Sequence, residues 1–363
     1  SMTVPTATVA LLCALHVAQA LFVSSRTSLG RNNRIRCPSF AIDTFANALD
    51  GTEFDVGACD IPGTDWQRPS KVNQDRYFVH EGSSSAADDV EDDDDDGREY
   101  SLLGVLDGHG RHGEQVSSFA AKNLPRAIAD RLASVEELPE RVVEFERRAI
   151  RSSAGFDCDG YKSTCSRTQR ALVDAFHVVH CDAVHDEGIR AGRNGSTCVV
   201  CHVDRRTLEC NVAYVGDSRA IHISGSDGSI SVVAEELTVD LPDERRRIEL
   251  GEGSIRGRNV FYGPVGIAMT RALGDAVMAR AGVIPTPAVG HLRLDRGDAL
   301  VLATDGVWDV LKNERVRDIA SSRAGAQDAA EDIAKAARER WVGDLPIVDE
   351  VKADDIAVVV LKC

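Results

Sequence analysis

Five aspartates lie next to predicted strand ends, and one of them is followed closely by a histidine. Asp107 ends the apolar run "LLGVLD", with Gly108 and His109 directly after it; the other four are Asp75, Asp217, Asp305 and Asp354. Grouped carboxylates repel one another and raise each other's pKa values unless cations lie among them. Oxygen-rich groups suit Mg²⁺ or Mn²⁺. The simpler alternative is that each aspartate caps a turn or helix.

The elements that would position these residues are short apolar stretches rich in Val, Ile and Tyr, which predict strands. They cover Arg76–Val79, Ser101–Leu106, Thr197–Val203, Glu209–Val215, Ala220–Ile223, Ala299–Ala303 and Ile356–Leu361. Three of the aspartates follow a strand and two precede one. In antiparallel sheets the end of one strand lies beside the start of its neighbour, so all five can share one edge.

Helical periodicity occurs between these strands. It predicts helices over Glu114–Asn123, Glu140–Arg148, Thr168–Asp186, Asp243–Leu250 and Ala326–Trp341. Consecutive strands between 197 and 233 are joined by the turns "DRRT", "GDSR" and "GSDG", which favour antiparallel pairing. The sequence therefore predicts an α+β fold rather than a doubly wound parallel sheet.

Composition and charge narrow the function classes. The chain has 363 residues, 43% of them hydrophobic, which is enough for a sizeable core. The formal net charge of −16 argues against a nucleic-acid partner. Half of that charge lies in "DDVEDDDDD", Asp88–Asp96. We expect residues 82–98 to be a solvated, disordered loop insertion rather than a calcium loop, because the spacing and the glycine turn of such a loop are missing.

The N-terminal segment, residues 1–45, has an apolar stretch followed by a part rich in Ser and Arg. It is typical of a signal or transit-like segment and is similar to the bipartite presequences of complex algal plastids. The alternative is a first helix packed on the core. The predicted location is secretory or plastid, and otherwise cytoplasmic or nuclear. No later stretch is long enough to span a membrane.

Cysteine and histidine positions give little support for zinc. Cys198 and Cys201 form a C-x-x-C pair inside the strand-like run "TCVVCHV", where residues three apart point to opposite faces. We therefore expect buried structural thiols. His109 and His112 have no matching cysteine or histidine at ligand spacing.

Seven segments together resemble the metal-dependent PP2C-type (PPM) protein serine/threonine phosphatases, from about residue 50 to the end of the chain. In order they read "NQDRYFV", "LLGVLDGHG", "GSTCVV", "VAYVGDSRA", "TRALGD", "LVLATDGVWDVLKNE" and "DDIAVVVL". The resemblance implies a catalytic domain over residues 46–363. Its fold would be a central sandwich of two antiparallel β-sheets flanked by α-helices, in α/β/β/α layers.

The resemblance also implies a metal centre of two Mg²⁺ or Mn²⁺ ions per subunit. Asp107 would bridge both ions, the carbonyl of Gly108 would bind one of them, and Asp305 and Asp354 would be further ligands. Some family members hold a third, weaker ion at the positions that match Asp217 and Asp309 in this sequence.

The implied reaction is hydrolysis of phosphoserine or phosphothreonine by in-line attack of a hydroxide that bridges the ions. Asp75 would order the water, and His109 would protonate the leaving alkoxide. His112 lacks a family match and is expected at the surface. The implied partner is a phosphoprotein substrate, and we expect a monomer.

Three positions depart from the family pattern. An arginine that often binds the substrate phosphate is replaced by Ser70, so Arg68 or Lys71 is the candidate in its place, although a lysine lacks the bidentate fork. Gln74 stands where an acidic residue is common. The last motif begins Asp354-Asp355 where Asp-Asn is common, and we take Asp354 as the ligand.

Residues 233–268 are expected to form a flap beside the cleft, with Arg245–Arg247 mostly facing solvent. Two other functions stay open at this point. One is a pseudophosphatase that uses the fold as a binding module, for which Ser70 and Gln74 would be signs of decay. The other is a two-metal phosphatase that acts on small phosphate esters or nucleotides.

Overall fold

The computed structural model describes residues 54–65, 71–84, 98–133, 137–144, 164–343 and 352–363. All of them belong to one compact unit, Phe40–Cys363. The predicted targeting segment 1–45, the acidic run Asp88–Asp96 and Arg68 lie outside the described residues. Among the described residues, no helix is both long enough and apolar enough to cross a membrane.

The strands in chain order are β1 (Asp55–Ile61), β2 (Asp75–Ser84), β3 (Arg98–His109), β4 (Gly195–Ser196), β5 (Cys198–Asp204), β6 (Glu209–Val215), β7 (Arg219–Ile223), β8 (Ile230–Ala234), β9 (Ser254–Arg256), β10 (Asn259–Tyr262), β11 (Val265–Ile267), β12 (Leu273–Gly274), β13 (Ala288–Arg293), β14 (Ala299–Ala303) and β15 (Ile356–Lys362). The helices are α1 (Gly113–Ala133), α2 (Arg167–His185), α3 (Pro242–Leu250), α4 (Asp305–Trp308), α5 (Asn313–Ser322) and α6 (Ala326–Val342). A 3₁₀ helix covers Ala276–Ala281, and 140–144 is also helical.

Two antiparallel sheets form the centre of the fold. One has the order β1-β15-β14-β7-β8, and the other has the order β12-β4-β3-β5-β6-β13 with β2 also paired to β3. Their facing sides share one apolar core, to which the first sheet contributes Leu302 and Val359 and the second contributes Leu103 and Val105. The predicted sandwich of antiparallel sheets is confirmed.

Helices cover the outer faces of both sheets. On the second sheet, α1 and α2 bury Leu124 and Phe176 against Leu102 and Leu106 of β3. Both faces of β3 are therefore buried, which explains its continuous apolar run. On the first sheet, α6 packs against β1 and β15. The order of layers is thus helix, sheet, sheet, helix, as predicted.

The two cysteines of the C-x-x-C pair lie in different cores. Cys198 packs in the core beneath α1 and α2, whereas Cys201 packs between the sheets. Both thiols are fully buried and free. The expectation of structural thiols on opposite faces of one strand is confirmed.

The flap segment contains α3 and a small antiparallel sheet of β9, β10 and β11. It has its own apolar cluster, which includes Ile248, Val260 and Met278. The expectation that Arg245–Arg247 mostly face solvent is wrong at Arg247. That side chain is buried because Glu244, on the same helix, accepts hydrogen bonds from both of its terminal nitrogens.

Candidate active site

The acidic residues meet at one edge of the sandwich, where the strands end. Asp75 begins β2 and lies directly opposite Asp107 of β3 in the strand register. Asp305 follows β14 at the start of α4, and Asp354 precedes β15. Asp217 lies in the turn between β6 and β7. The two sheets therefore contribute carboxylates to the same place.

The pKa values of these groups show how close the charges are. Burial, together with the charges of Asp305 and other aspartates, raises the pKa values of Asp75 and Asp107 well above the ordinary range. Burial and the charges of Asp217 and Asp354 raise the pKa of Asp305 to about 7. Each carboxylate is thus destabilised in its charged form by burial and by its neighbours.

Two threonines fix the innermost aspartates. The hydroxyl of Thr304 donates a hydrogen bond of 2.7 Å to Oδ2 of Asp75. The backbone N–H of Asp107 donates to Oγ1 of Thr197 at 2.9 Å. In contrast, Oδ1 of Asp217 is buried and has no hydrogen-bond partner among the described residues. At least one buried carboxylate oxygen in this group therefore lacks a protein donor.

Asp217 and Asp309 are close enough to interact through their charges. Burial raises the pKa of Asp217, and Glu236 and Asp309 add to that effect while His109 opposes it. Asp309 follows α4 and is exposed, yet burial of its carboxyl and the charge of Glu236 raise its pKa as well. The structure thus brings Asp309 near the same group of charges.

The two adjacent aspartates of the last motif have different surroundings. Asp355 is 3% exposed and accepts hydrogen bonds from the backbone N–H groups of Gly63 at 2.5 Å and Gln74 at 2.9 Å. The Asp354 side chain is 44% exposed and bonds to Lys71 and to the N–H of Asp355. Because backbone N–H groups already bond to both carboxylate oxygens of Asp355, Asp354 is the more accessible of the two aspartates.

His109 is joined to a residue to which the sequence reasoning gave no role. Its Nε2 lies 2.5 Å from Oδ2 of Asp275, which is 2% exposed and has a left-handed φ of +48°. Burial opposes protonation of His109, but the charge and hydrogen bond of Asp275 raise its pKa. Gly195 makes room for the pair, because a Cβ there would lie 2.2 Å from Oδ2 of Asp275. "TRALGD" was recognised as a motif, but the strand pairing that brings Asp275 to His109 is not visible in the sequence.

Gly108 lies where β3 meets the start of α1. Its N–H donates to the carbonyl of Gln74 at 3.1 Å. A Cβ at this position would lie 2.6 Å from the carbonyl oxygen of Gly113. Glycine is therefore required here because the backbones approach each other closely.

The donor set fits a hard divalent cation. In the described part of the chain, no three acidic, histidine or cysteine side chains already converge as a closed metal-binding group. The available donors are nevertheless carboxylate oxygens, and the pKa values of Asp107 and Asp305 are raised, while Oδ1 of Asp217 lacks a hydrogen-bond donor among the described residues. A cation among them would relieve the repulsion, and oxygen ligands favour Mg²⁺ or Mn²⁺ over zinc.

Comparisons with known proteins give the family. Residues 71–344 match the family model described as "Protein phosphatase 2C". "Probable protein phosphatase 2C 72" of Arabidopsis thaliana is 31% identical over 318 residues, which cover 84% of this chain and 83% of that protein. The chain belongs to the protein phosphatase 2C family. It is thus a metal-dependent protein serine/threonine phosphatase.

Solved serine/threonine phosphatase structures share the fold. The serine-threonine phosphatase 2C from Toxoplasma gondii superposes with a TM-score of 0.58 at 20% identity, covering 85% of this chain and 94% of that one. The serine/threonine phosphatase of S. agalactiae gives 0.51 at 15% identity and covers 85% and 99%. At these identities the likeness concerns the fold alone.

Lys71, a candidate to replace the family's phosphate-binding arginine, and Gln74, which stands where an acidic residue is common, both lie beside the site. Lys71, a candidate for phosphate binding, places its Nζ 3.0 Å from Oδ1 of Asp354 and 3.2 Å from Oδ2 of Asp355. Burial opposes the charge of Lys71, but these carboxylates raise its pKa. The side-chain amide of Gln74 donates to the carbonyl of Gly110 and to Glu114, both at 3.1 Å. Phosphate binding by Lys71 stays a prediction, as does that by Arg68.

Proposed function

We propose that the acidic edge holds the catalytic metal ions of a phosphoserine and phosphothreonine phosphatase. Asp107, the carbonyl of Gly108, Asp305 and Asp354 would hold two Mg²⁺ or Mn²⁺ ions, and Asp217 and Asp309 would hold a third, weaker one. When bound, such ions supply an activated water for in-line attack and offset the charge of the phosphoryl group. The observation that carries the proposal is that buried Asp75 lies opposite half-buried Asp107 and close to Asp305, and that the pKa values of these three carboxyl groups are raised.

The chain's own residues have separate tasks in this proposal. Asp75, held by Thr304, orients the attacking water by accepting its hydrogen bond. Protonated His109 gives the proton on its Nδ1, which has no hydrogen-bond partner among the described residues, to the serine or threonine oxygen as that oxygen leaves, because an alkoxide is a poor leaving group. Asp275 keeps a proton on Nε2 of His109 and fixes the plane of the ring. No phosphorylated enzyme intermediate is needed.

The direct test compares wild-type protein with Asp107→Asn. Phosphate release from a phosphothreonine peptide and from p-nitrophenyl phosphate is measured with chelator, with Mg²⁺ and with Mn²⁺. We expect turnover by the wild type only with metal, and a loss of roughly a thousandfold or more in Asp107→Asn. The matched control is Asp130→Asn, which removes a carboxylate from an exposed position on α1.

Three other outcomes of this comparison would favour a different function or contradict the proposed residue roles. Undiminished turnover in Asp107→Asn contradicts the proposed roles. Metal binding by the wild type without turnover of any phosphopeptide supports the pseudophosphatase alternative. Faster hydrolysis of nucleotides than of phosphopeptides supports the small-ester alternative.

A further inference from the structure

Three exposed arginines lie in the two chain segments next to the strand end that carries His109. His109 pairs with Gly195 across β3 and β4. Arg111 lies two residues after His109, in the turn that follows β3, and Arg193 lies two residues before Gly195, in the segment that precedes β4. The two segments stay close beyond the pairing, because a Cβ on Gly110 would lie 3.0 Å from the carbonyl oxygen of Arg193. Arg190 completes the set. We call Arg111, Arg190 and Arg193 the arginine rim.

Hydrogen bonds hold the rim in place. Arg190 donates from Nη1 to Nε2 of His112 at 3.0 Å and from its backbone N–H to Oε1 of Gln115 at 3.1 Å. Oδ1 of Asn194 accepts from the N–H of His112 at 2.9 Å, and Nδ2 of Asn194 donates to the carbonyl of Arg190 at 2.6 Å. The turn after β3 and the segment before β4 therefore form one connected surface.

The charge of the rim is uncompensated within the described part of the chain. Some exposed arginines elsewhere pair with carboxylates, as Arg141 does with Asp182, Arg258 with Asp240, and Arg280 with Glu252, whereas isolated ones such as Arg206 form no described ion pair. None of the three rim arginines forms an ion pair with a described carboxylate, although Asp186 and Glu187 are exposed nearby in the sequence. Three unmatched positive charges beside the candidate site contrast with the formal net charge of −16.

The position of the rim indicates what it would contact. This step rests on the proposed function, in which His109 protonates the leaving oxygen of serine or threonine. The substrate polypeptide is attached to that oxygen, so the residues next to the phosphorylated one must lie on the His109 side of the site. Guanidinium groups bind carboxylates with two parallel hydrogen bonds. We propose that the arginine rim selects phosphoprotein segments that carry aspartate or glutamate next to the phosphoserine or phosphothreonine.

The test uses two phosphothreonine peptides that differ only in glutamate or glutamine at the flanking positions. The measured quantity is the ratio of their kcat/KM values, so each variant is its own reference. We expect the wild type to prefer the glutamate peptide by about tenfold at low salt, and the preference to shrink at high ionic strength. Arg111→Ala and Arg193→Ala should each lower the ratio about threefold or more, and Arg193→Glu should lower it further.

The matched control is Arg206→Ala, since Arg206 is exposed in the turn at the far end of β5 and β6. It removes the same charge and should leave the ratio unchanged. A wild-type ratio near one, or equal falls in Arg193→Ala and Arg206→Ala, would overturn the proposal. Failure of the wild type to hydrolyse both peptides and p-nitrophenyl phosphate with Mn²⁺ would instead overturn the proposed function.

Discussion

Two regions of this protein bury charged side chains, with opposite results. At the acidic edge, burial and neighbouring aspartates raise the pKa values of Asp75, Asp107 and Asp305. At the flap, Glu244 is 3% exposed, and burial alone would raise its pKa. Hydrogen bonds and charges from Arg247 and Arg271 instead hold the pKa of Glu244 far below the ordinary range. One region leaves its charges unmatched, and the other pairs them within the chain.

The contacts of Glu244 explain its structural role. Arg247 donates to it at 2.7 and 2.6 Å, Arg271 at 2.6 Å, and the Thr270 hydroxyl at 2.5 Å. These bonds connect α3 of the flap to the segment that leads to Asp275. Fully paired buried charges fix a structure, whereas unmatched ones are retained at a cost in stability where a ligand cation can match them.

Removal of the Glu244 charge, which pairs with Arg247 and Arg271 at the flap, should have the largest effect on stability. Glu244→Gln leaves the buried guanidinium of Arg247 and that of Arg271 without their carboxylate. We expect a loss of about 3–5 kcal/mol in the free energy of unfolding, measured by urea denaturation. Glu249→Gln on the same helix is the control, because Glu249 is exposed and lies 3.9 Å from Arg245. A loss of less than about 1 kcal/mol in Glu244→Gln would contradict the comparison.

The acidic edge should make the free energy of unfolding depend on pH in the opposite direction from a buried carboxylate that is paired with a guanidinium. The pKa of Asp305 is about 7 in the folded chain and about 3.9 in an unfolded one. Between these values the folded state holds more protons, so stability without metal should fall as pH rises. The slope should be about 1.4 kcal/mol per pH unit between pH 5 and pH 6 and should fall to about half of that at pH 7.

Urea denaturation in the presence of chelator at several pH values measures this slope. Asp305→Asn should remove the part of the pH slope that comes from Asp305. Asp318→Asn, which changes an exposed carboxylate, should leave the slope unchanged. A metal-free wild type whose stability increases from pH 5 to pH 7 would show that the carboxylates do not repel as described.

His109 and Asp275 form an ion pair beside the acidic edge, where the other carboxylates repel one another. Asp275→Asn keeps the size of the side chain but removes the charge that keeps His109 protonated. We expect kcat on a phosphothreonine peptide to fall about 10- to 100-fold with little change in KM. Hydrolysis of p-nitrophenyl phosphate should fall less, because its leaving group needs little protonation. Equal losses on both substrates would indicate a merely structural role.

Much of the fold was predictable because burial leaves a local pattern. Strands Glu209–Val215 and Ala299–Ala303 match their predicted bounds. The helix predicted over Glu114–Asn123 continues to Ala133, through Pro125, because α1 packs on the sheet along its length. The flap strands β9, β10 and β11 are three to four residues long, too short for periodicity to reveal them.

The candidate site was predictable in part for a related reason. Strand-end aspartates are visible in the sequence, as is the glycine after Asp107. The roles of Asp275 and Arg247 were missed because they depend on contacts between distant segments, namely the pairing of β12 with β4 and the approach of Arg271 to α3. A motif shows that a residue is special, but only the fold shows which residue it contacts.

The most direct test of the account is the stability of wild-type protein and Asp107→Asn, each with chelator and with Mn²⁺, measured by urea denaturation. With chelator the variant should be the more stable by roughly 1 kcal/mol, since one half-buried carboxylate that repels its neighbours is gone. With Mn²⁺ at a hundred times its dissociation constant, the wild type should gain about 2.7 kcal/mol and become the more stable of the two. A wild type that is more stable without metal, or an equal gain from Mn²⁺ in both proteins, would contradict the claim that these carboxylates are held together for a metal.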